Sequence, residues 1–304
     1  MAFALNFESR ILFQSSQLHI GRFRCNAASD LWQTENYTGQ YPIVVFPRIP
    51  VAIQQAARPS VVATPIHVML YNSCHPYRRE LIDPRGDISD FFALQPALIR
   101  EISESSGGRF HDDCLSPFAS SHSVCPSRTY LIQRTLFHLV ESGQPVDPVL
   151  VDETFMHLLP DLLQSSWVFS RRGKDPTSAV QRGQRDQVEA AKAFISQQFR
   201  QPLKVEDIAV VANCSVYHLC RIFKKFTGLT VHRFLTHCRL RSSMEEVMDS
   251  KRPLTCVALD LGFCSHSHFT NAFRAEFGMP PRRMRDRPHL ALLQNDLQSV
   301  PKKF

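Results

Sequence analysis

The chain has 304 residues, 43% hydrophobic and 21% charged, with a formal net charge of +7. That length fits roughly two domains of about 100 to 200 residues each, and the composition excludes a largely disordered protein. Apolar runs such as "YPIVVFPRIPVAI" are cut by Arg and Pro within a few residues, which excludes a membrane span of the roughly 20 residues needed. The charge is uneven. Residues 182–304 carry 20 Lys+Arg against 11 Asp+Glu, whereas residues 1–181 carry 15 against 17, so basic charge suited to a polyanion sits in the C-terminal part.

The opening "MAFALNFESRILF" has no basic stretch ahead of an apolar one and is expected not to be a secretory signal, which places the protein in a cytoplasm. The 9 Cys are scattered without a C-x-x-C pair, a pattern of small buried thiols and not of a disulfide framework. The runs "YPIVVFP", "VAIQQA", "SVVATPIHVMLYNS", "YRRELID" and "DISDFFAL" are β-rich and punctuated by Pro, Gly and Asp. They predict an antiparallel sandwich or barrel across residues 20–95. "HDDCLSPFASSHSVC" then sets His111, Cys114, His122 and Cys125 as H-x2-C…H-x2-C, a spacing able to hold a thiophilic metal or a redox pair. The expectation is nonetheless a loop with partly buried thiols and a turn-capping His, with no metal.

"TYLIQRTLFHLVESG" and "VLVDETFMHLLPDLLQSS" follow with apolar residues at helical spacing, for example Leu131, Leu136, Phe137, Leu139 and Val140. They predict amphipathic helices that cover the β region or pair with a second subunit. "SRRGKDPTSAVQRGQR", residues 170–185, has no apolar period and reads as a linker. After it, "RDQVEAAKAFISQQFRQP" puts Val188, Ala191, Phe194, Ile195 and Phe199 on one helical face before Pro202. "VEDIAVVANCSVYHLCRIFKKFTG" reads as two short helices divided by a tight turn, the second starting at a capping Ser215 and ending at Gly228. Leu219, Ile222, Phe223 and Phe226 form its apolar face.

The same unit recurs. A shift of 49 lays Ile208 and Ala209 on Val257 and Ala258, and Asn213 on Gly262, both types that tolerate a left-handed turn. After one inserted residue, Ser215, Leu219, Phe223, Lys224, Gly228 and Phe234 fall on Ser265, Phe269, Phe273, Arg274, Gly278 and Met284. Small Ala209 and Ala258 let the two helices of each unit pack closely, as a helix-turn-helix requires. The stretches "IAVVANCSVYHLCRIFKKFTGLTVHRFL", "RLRSSMEEVM" and "VALDLGFCSHSHFTNAFRAEFGMPPRRMR" resemble the C-terminal domain of the AraC/XylS family of bacterial transcription regulators over residues 185–287. The last is similar to the family's closing A-x-x-x-G-F…F-x-x-x-F-G-x-x-P pattern, with Met284 where a Tyr is usual and Cys256 in place of a commoner polar residue.

"GFCSHSHF" packs Cys264, His266 and His268 together, but residues at i, i+2 and i+4 on one element do not converge on one ion. The resemblance implies that His266, Ser267, His268 and Asn271 face bases, with Tyr217, Cys220 and Arg221 at the matching positions of the first unit. Asn suits adenine and the Arg fork suits guanine, while Lys224, Lys225 and Arg274 are expected on phosphates. A joining helix over residues 231–248 would span about 27 Å at roughly 1.5 Å per residue, enough to set two reading helices near one DNA turn apart. The DNA site is then expected to be asymmetric.

The resulting fold expectation is an α+β multidomain chain: a cupin-like β-barrel plus helices, then an all-α double helix-turn-helix. The cupin likeness comes from the family. The expected divisions are 1–110 (β-rich sensor), 111–172 (helical, dimerising), 173–184 (linker), 185–287 (DNA binding) and 288–304 (tail). Implied partners are double-stranded DNA, RNA polymerase, a small-molecule effector and a second copy of the chain. No cofactor, membrane contact or catalytic residue is expected. The competing reading, an enzyme or metal sensor with its chemistry in the N-terminal half, finds no nucleophile–base constellation or nucleotide-binding glycine loop. An enzymatic cupin would also carry H-x-H in the barrel, and here His266-Ser267-His268 lies in the other domain.

Overall fold

A computed structural model of the chain describes residues 7–105, 115–143, 145–172, 178–286 and 293. They form two compact units, one within residues 1–171 and one within 172–287, the short run 64–66 grouping with the second.

The described residues of the N-terminal unit form ten strands: β1 (Phe7–Gln14), β2 (Leu18–Cys25), β3 (Asn36–Tyr37), β4 (Ile43–Pro47), β5 (Val51–Gln55), β6 (Val61–Ala63), β7 (His67–Tyr71), β8 (Pro76–Leu81), β9 (Asp87–Leu94) and β10 (His122–Val124). Three helices accompany them, α1 (Pro96–Ser105), α2 (Ser127–Glu141) and α3 (Pro148–Arg172). One sheet has the order β1-β2-β9-β4-β7-β10 and the other β3-β8-β5-β6. Every named pair is antiparallel.

Alternation along the strands separates two apolar layers. Val51, Ile53, Ala63, Met69 and Tyr71 pack between the sheets with Trp32, Ile43, Val45 and Tyr77 around them. On the other face of the larger sheet, Phe92 of β9 stacks on Phe155 of α3 with centroids 4.7 Å apart and meets Phe137 of α2 at 6.1 Å. Each such ring, taken from water, contributes about 1.5–3 kcal/mol. Arg79 of β8 meets Asp87 of β9 at 3.0 Å across the two sheets, and burial still pushes the Asp87 carboxyl above its ordinary value.

Four expectations change here. Among the described residues no strand pairing joins the two sheets, so they form an open sandwich and not a closed barrel; the edge strands β3 and β6 are only two and three residues long. The β region begins earlier than residue 20, with the hairpin β1–β2. Its turn is held by Ser15, whose Oγ accepts from the amides of Gln17 (3.1 Å) and Leu18 (3.2 Å) and donates to Asp152 of α3 (2.8 Å). The alternation in "FESRILFQ" carried that signal. Helix α1 lies inside the 1–110 division expected to be β-rich, and β10 inside the 111–172 division expected to be helical, its three residues pairing with β7.

The C-terminal unit is helical: α4 (Ala179–Gln198), α5 (Val205–Val211), α6 (Val216–Thr227), α7 (Val231–Asp249), α8 (Leu254–Asp260), α9 (His266–Phe277) and α10 (Pro281–Arg285). The stretch read as a linker is helical at both ends, since α3 reaches Arg172 and α4 starts at Ala179. Ser178 caps α4 by accepting from Gln181 N at 3.2 Å. A capped run of Ala, Gln and Arg forms helix without an apolar period of its own when a buried face, here Val188, Ala191 and Ile195, follows directly.

Candidate nucleic-acid interface

The two helix-turn-helix units, α5–α6 and α8–α9, are built alike in detail. In each turn one residue is left-handed: Asn213 at φ 49° and Gly262 at φ 81°. The following amide closes the turn onto the small residue of the first helix, Cys214 N to Ala209 O and Phe263 N to Ala258 O, both at 3.0 Å. Ser215 and Ser265 then cap α6 and α9 by accepting from the amides of His218 (3.2 Å) and His268 (3.1 Å). Both helices end on a left-handed Gly, Gly228 and Gly278, whose amides donate to Lys224 O and Arg274 O.

The apolar faces seat these helices. Leu219, Ile222 and Phe223 of α6 and Phe269, Phe273 and Phe277 of α9 are buried. Ala209 and Ala258 are buried beneath them, as the close packing of each pair demands. Loss of a cap leaves an amide without its acceptor, so Ser215→Ala and Ser265→Ala are each expected to cost about 1 kcal/mol, read as a lower unfolding midpoint by circular dichroism.

The opposite faces are open. Tyr217 is 80% exposed, and Cys220, Arg221, Lys224 and Lys225 share its solvent side. On α9, His266, Ser267, His268, Asn271 and Arg274 are exposed in the same way. The imidazoles turn to separate neighbours: His268 Nδ1 lies 3.2 Å from Cys264 Sγ, while His266 Nε2 lies 3.5 Å from Thr270 Oγ1. The three do not converge. Of the other metal candidates, His111 and Cys114 lie outside the described residues. His122 is buried on β10 with Nδ1 3.1 Å from Ser121 Oγ, and Cys125 is buried beside Pro126.

The sequence reading passed over several further side chains of the C-terminal unit. His218 Nδ1 stands 3.4 Å from Arg221 Nη2; the shift of 50 that relates the units maps it onto His268 and could have found it. Arg233 donates to His237 Nε2 at 3.3 Å, and His237 Nδ1 stands 3.1 Å from Glu276 of α9, which ties the joining helix α7 to the second unit. Arg285 of α10 donates to Glu246 O (3.0 Å) and Val247 O (3.2 Å) near the end of α7. Gln187 and Arg239 also bond across elements, to Asn213 O and to Phe199 O and Gln201 O.

A family model described as a helix-turn-helix domain matches residues 208–287. The chain is 31% identical over 94 residues to the regulatory protein SoxS of Salmonella typhimurium, covering 31% of this chain and 88% of that one. It is 31% identical over 152 residues to the transcriptional activator RhaS of Escherichia fergusonii, covering 50% of this chain and 51% of the relative; the match thus spans about half of that protein's length. Among solved structures, the C-terminal domain of AraT, a response regulator from Geobacillus stearothermophilus, is 27% identical, covers 33% of this chain and 83% of its own, and has a TM-score of 0.32.

Proposed function

Because the chain belongs to the AraC/XylS family of bacterial DNA-binding transcription regulators, we propose that α6 and α9 enter two successive major-groove segments of one asymmetric DNA site. The observation that carries this reading is the duplicated, capped helix whose polar face is exposed in both units while its apolar face is buried. Reading helices contact base edges with their N-terminal residues. Arg221 takes a guanine through its fork, and Asn271 takes an adenine through its paired donor and acceptor. Tyr217, Cys220, His266, Ser267 and His268 contact neighbouring bases. Lys224, Lys225 and Arg274 lie towards the later turns and hold phosphates, which fixes register without reading sequence.

The N-terminal unit serves as the sensor in this proposal, a cupin-like fold that takes a small-molecule effector and pairs with a second copy through its helices. Two antiparallel sheets packed face to face support the cupin likeness. Effector binding acts by favouring one of two states that differ in DNA affinity. The RhaS relative is named an activator, and contact with RNA polymerase is carried over on that ground.

Selection of sites from random duplex DNA by the full chain tests the reading. The expected result is an enriched two-block motif, with Arg221→Ala and Asn271→Ala each costing about 1–3 kcal/mol at one block only. Losses uniform over all sequences and vanishing with salt would show a domain that only holds phosphates.

A further inference from the structure

The first turn is bonded to α4, a helix that belongs to neither unit, and the residues that directly follow α4 meet the second. In the first unit, Gln187 Nε2 of α4 donates to the carbonyl of Asn213, the left-handed turn residue, at 3.2 Å. About 18 Å further along, taking 1.5 Å per residue, the chain leaves α4, and there it meets the second turn. Arg239 of α7 donates from Nε to Phe199 O at 2.7 Å and from Nη2 to Gln201 O at 3.0 Å. Arg200 Nη1 reaches Asp260 O at 3.4 Å. Gly262, the left-handed residue of the second turn, lies so close that a Cβ on it would stand 2.7 Å from Arg200 O and 2.8 Å from Arg239 Nη2. The Arg239 guanidinium also lies 5.9 Å from the Phe263 ring.

These contacts complete a triangle. The second unit is tied to α7 by Glu276 with His237 and by Arg285. The first unit joins α7 through the two residues Leu229 and Thr230 and through the ring contact of Phe223 with Phe234, centroids 5.3 Å apart. A unit held to a rod at one end can pivot, whereas a third strut removes the pivot. Helix α4 is that strut: Gln187 fastens it to the first turn, and Arg239 fastens its far end to α7 beside the second.

We propose that Arg239, with Gln187, is a spacing-determining residue: by locking α4 between the two turns it sets the separation and relative rotation of α6 and α9, and so the spacing of DNA blocks the chain accepts. The proposal rests on the two-segment reading above. Neither residue touches bases in it; both act through the helices they position. Inserting one base pair moves the second block by about 3.4 Å and turns it by roughly a tenth of a helical turn, which a locked pair of reading helices cannot follow.

The test uses the full chain and the duplex it enriches from a random pool, rebuilt with zero, one or two extra base pairs between blocks, and with either block scrambled. Wild type is expected to lose roughly tenfold or more in affinity on the first insertion, the scale of a mismatched base pair. Arg239→Met, which keeps the apolar stem and removes the donors, should cut that penalty to roughly threefold or less while leaving affinity for each single block unchanged, and Arg239→Lys should restore part of it. Gln187→Ala tests the other end of the strut and keeps the question open to measurement if Arg239→Met does not fold. An unchanged insertion penalty in the folded variants, or an equal loss on every duplex, overturns the proposal. A wild-type chain indifferent to spacing overturns the two-segment reading itself.

Discussion

Asp90→Asn is expected to destabilise the N-terminal unit by about 3–5 kcal/mol, the cost of removing one partner from a buried ionic cluster. Asp90 is fully buried on β9. Its carboxylate accepts from Arg22 Nε at 2.9 Å, Arg134 Nη1 at 2.8 Å and Arg48 Nη1 at 3.3 Å, with Gln133 Nε2 also at 3.3 Å. Arg22 reaches out further to Glu141 at the end of α2. The cluster therefore joins β2, β9 and α2, and a neutral amide in its place leaves three guanidinium groups crowded around one carbonyl. Arg48 already shows that strain: burial, with the charge of Arg134 behind it, pushes its guanidinium down to about 10.

The pH dependence follows from the same contacts. Burial alone would raise the Asp90 carboxyl, yet Arg48, Arg134 and Arg22 together hold it below its ordinary value. A depressed carboxyl contributes stability that is present above its unfolded pKa, about 3.9, and is lost as pH falls through the lower folded value. The gap between wild type and Asp90→Asn should accordingly be constant near neutrality and close under strong acid. The chain's two Trp, Trp32 and Trp167, both belong to the N-terminal unit, so urea titrations followed by Trp fluorescence read this unit alone. Equal unfolding midpoints of the two proteins at neutral pH would contradict the account.

Gly262→Ala is expected to cost the C-terminal unit about 2–5 kcal/mol, because two penalties act at one position. Its φ of 81° is a conformation that L side chains rarely adopt, and any Cβ would stand 2.7 Å from the carbonyl oxygen of Arg200. The first unit separates the two effects, since Asn213 carries a side chain at the matching left-handed position with φ 49°. Gly262→Asn should thus relieve only the backbone term and remain well below wild type. Thermal unfolding by far-ultraviolet circular dichroism, together with binding to each DNA block, would check both variants. The block read by α9 should be the one lost. A Gly262→Asn protein as stable as wild type would mean that the close approach to Arg200 costs nothing.

Legibility differed between the two halves for physical reasons. In the C-terminal unit the signals were local: Ser215 and Ser265 cap, Gly228 and Gly278 stop, Ala209 and Ala258 admit a neighbouring helix, and apolar spacing of three and four residues names the buried face. Each of these depends on backbone geometry within a few residues, and a duplicated pattern states it twice. The open faces of α6 and α9 follow from the same periodicity, and the resemblance to the family implied which residues on them face bases. Strand runs in the N-terminal half were recognisable for a similar reason, since alternation is local. The hairpin β1–β2 falls outside the β-rich runs although β1 alternates, and Arg22 of β2 is a charge that looks misplaced until Asp90 is set opposite it.

Partnership between distant segments is another matter. Nothing within reach of Asp90 along the chain announces Arg22, Arg48 and Arg134, separated from it by 68, 42 and 44 positions. Whether two sheets close into a barrel depends on which edges pair, and alternation does not encode that choice. Arg239 carries no local signal in the sequence beyond its charge on a basic domain. Folding turns its guanidinium inward onto the carbonyls of Phe199 and Gln201. Helix caps, turns and exposed faces were thus written in the chain's short-range order, while the ion cluster, the open sandwich and the strut between the two turns arise only when segments far apart in sequence meet, because their energies depend on distances that no local pattern specifies.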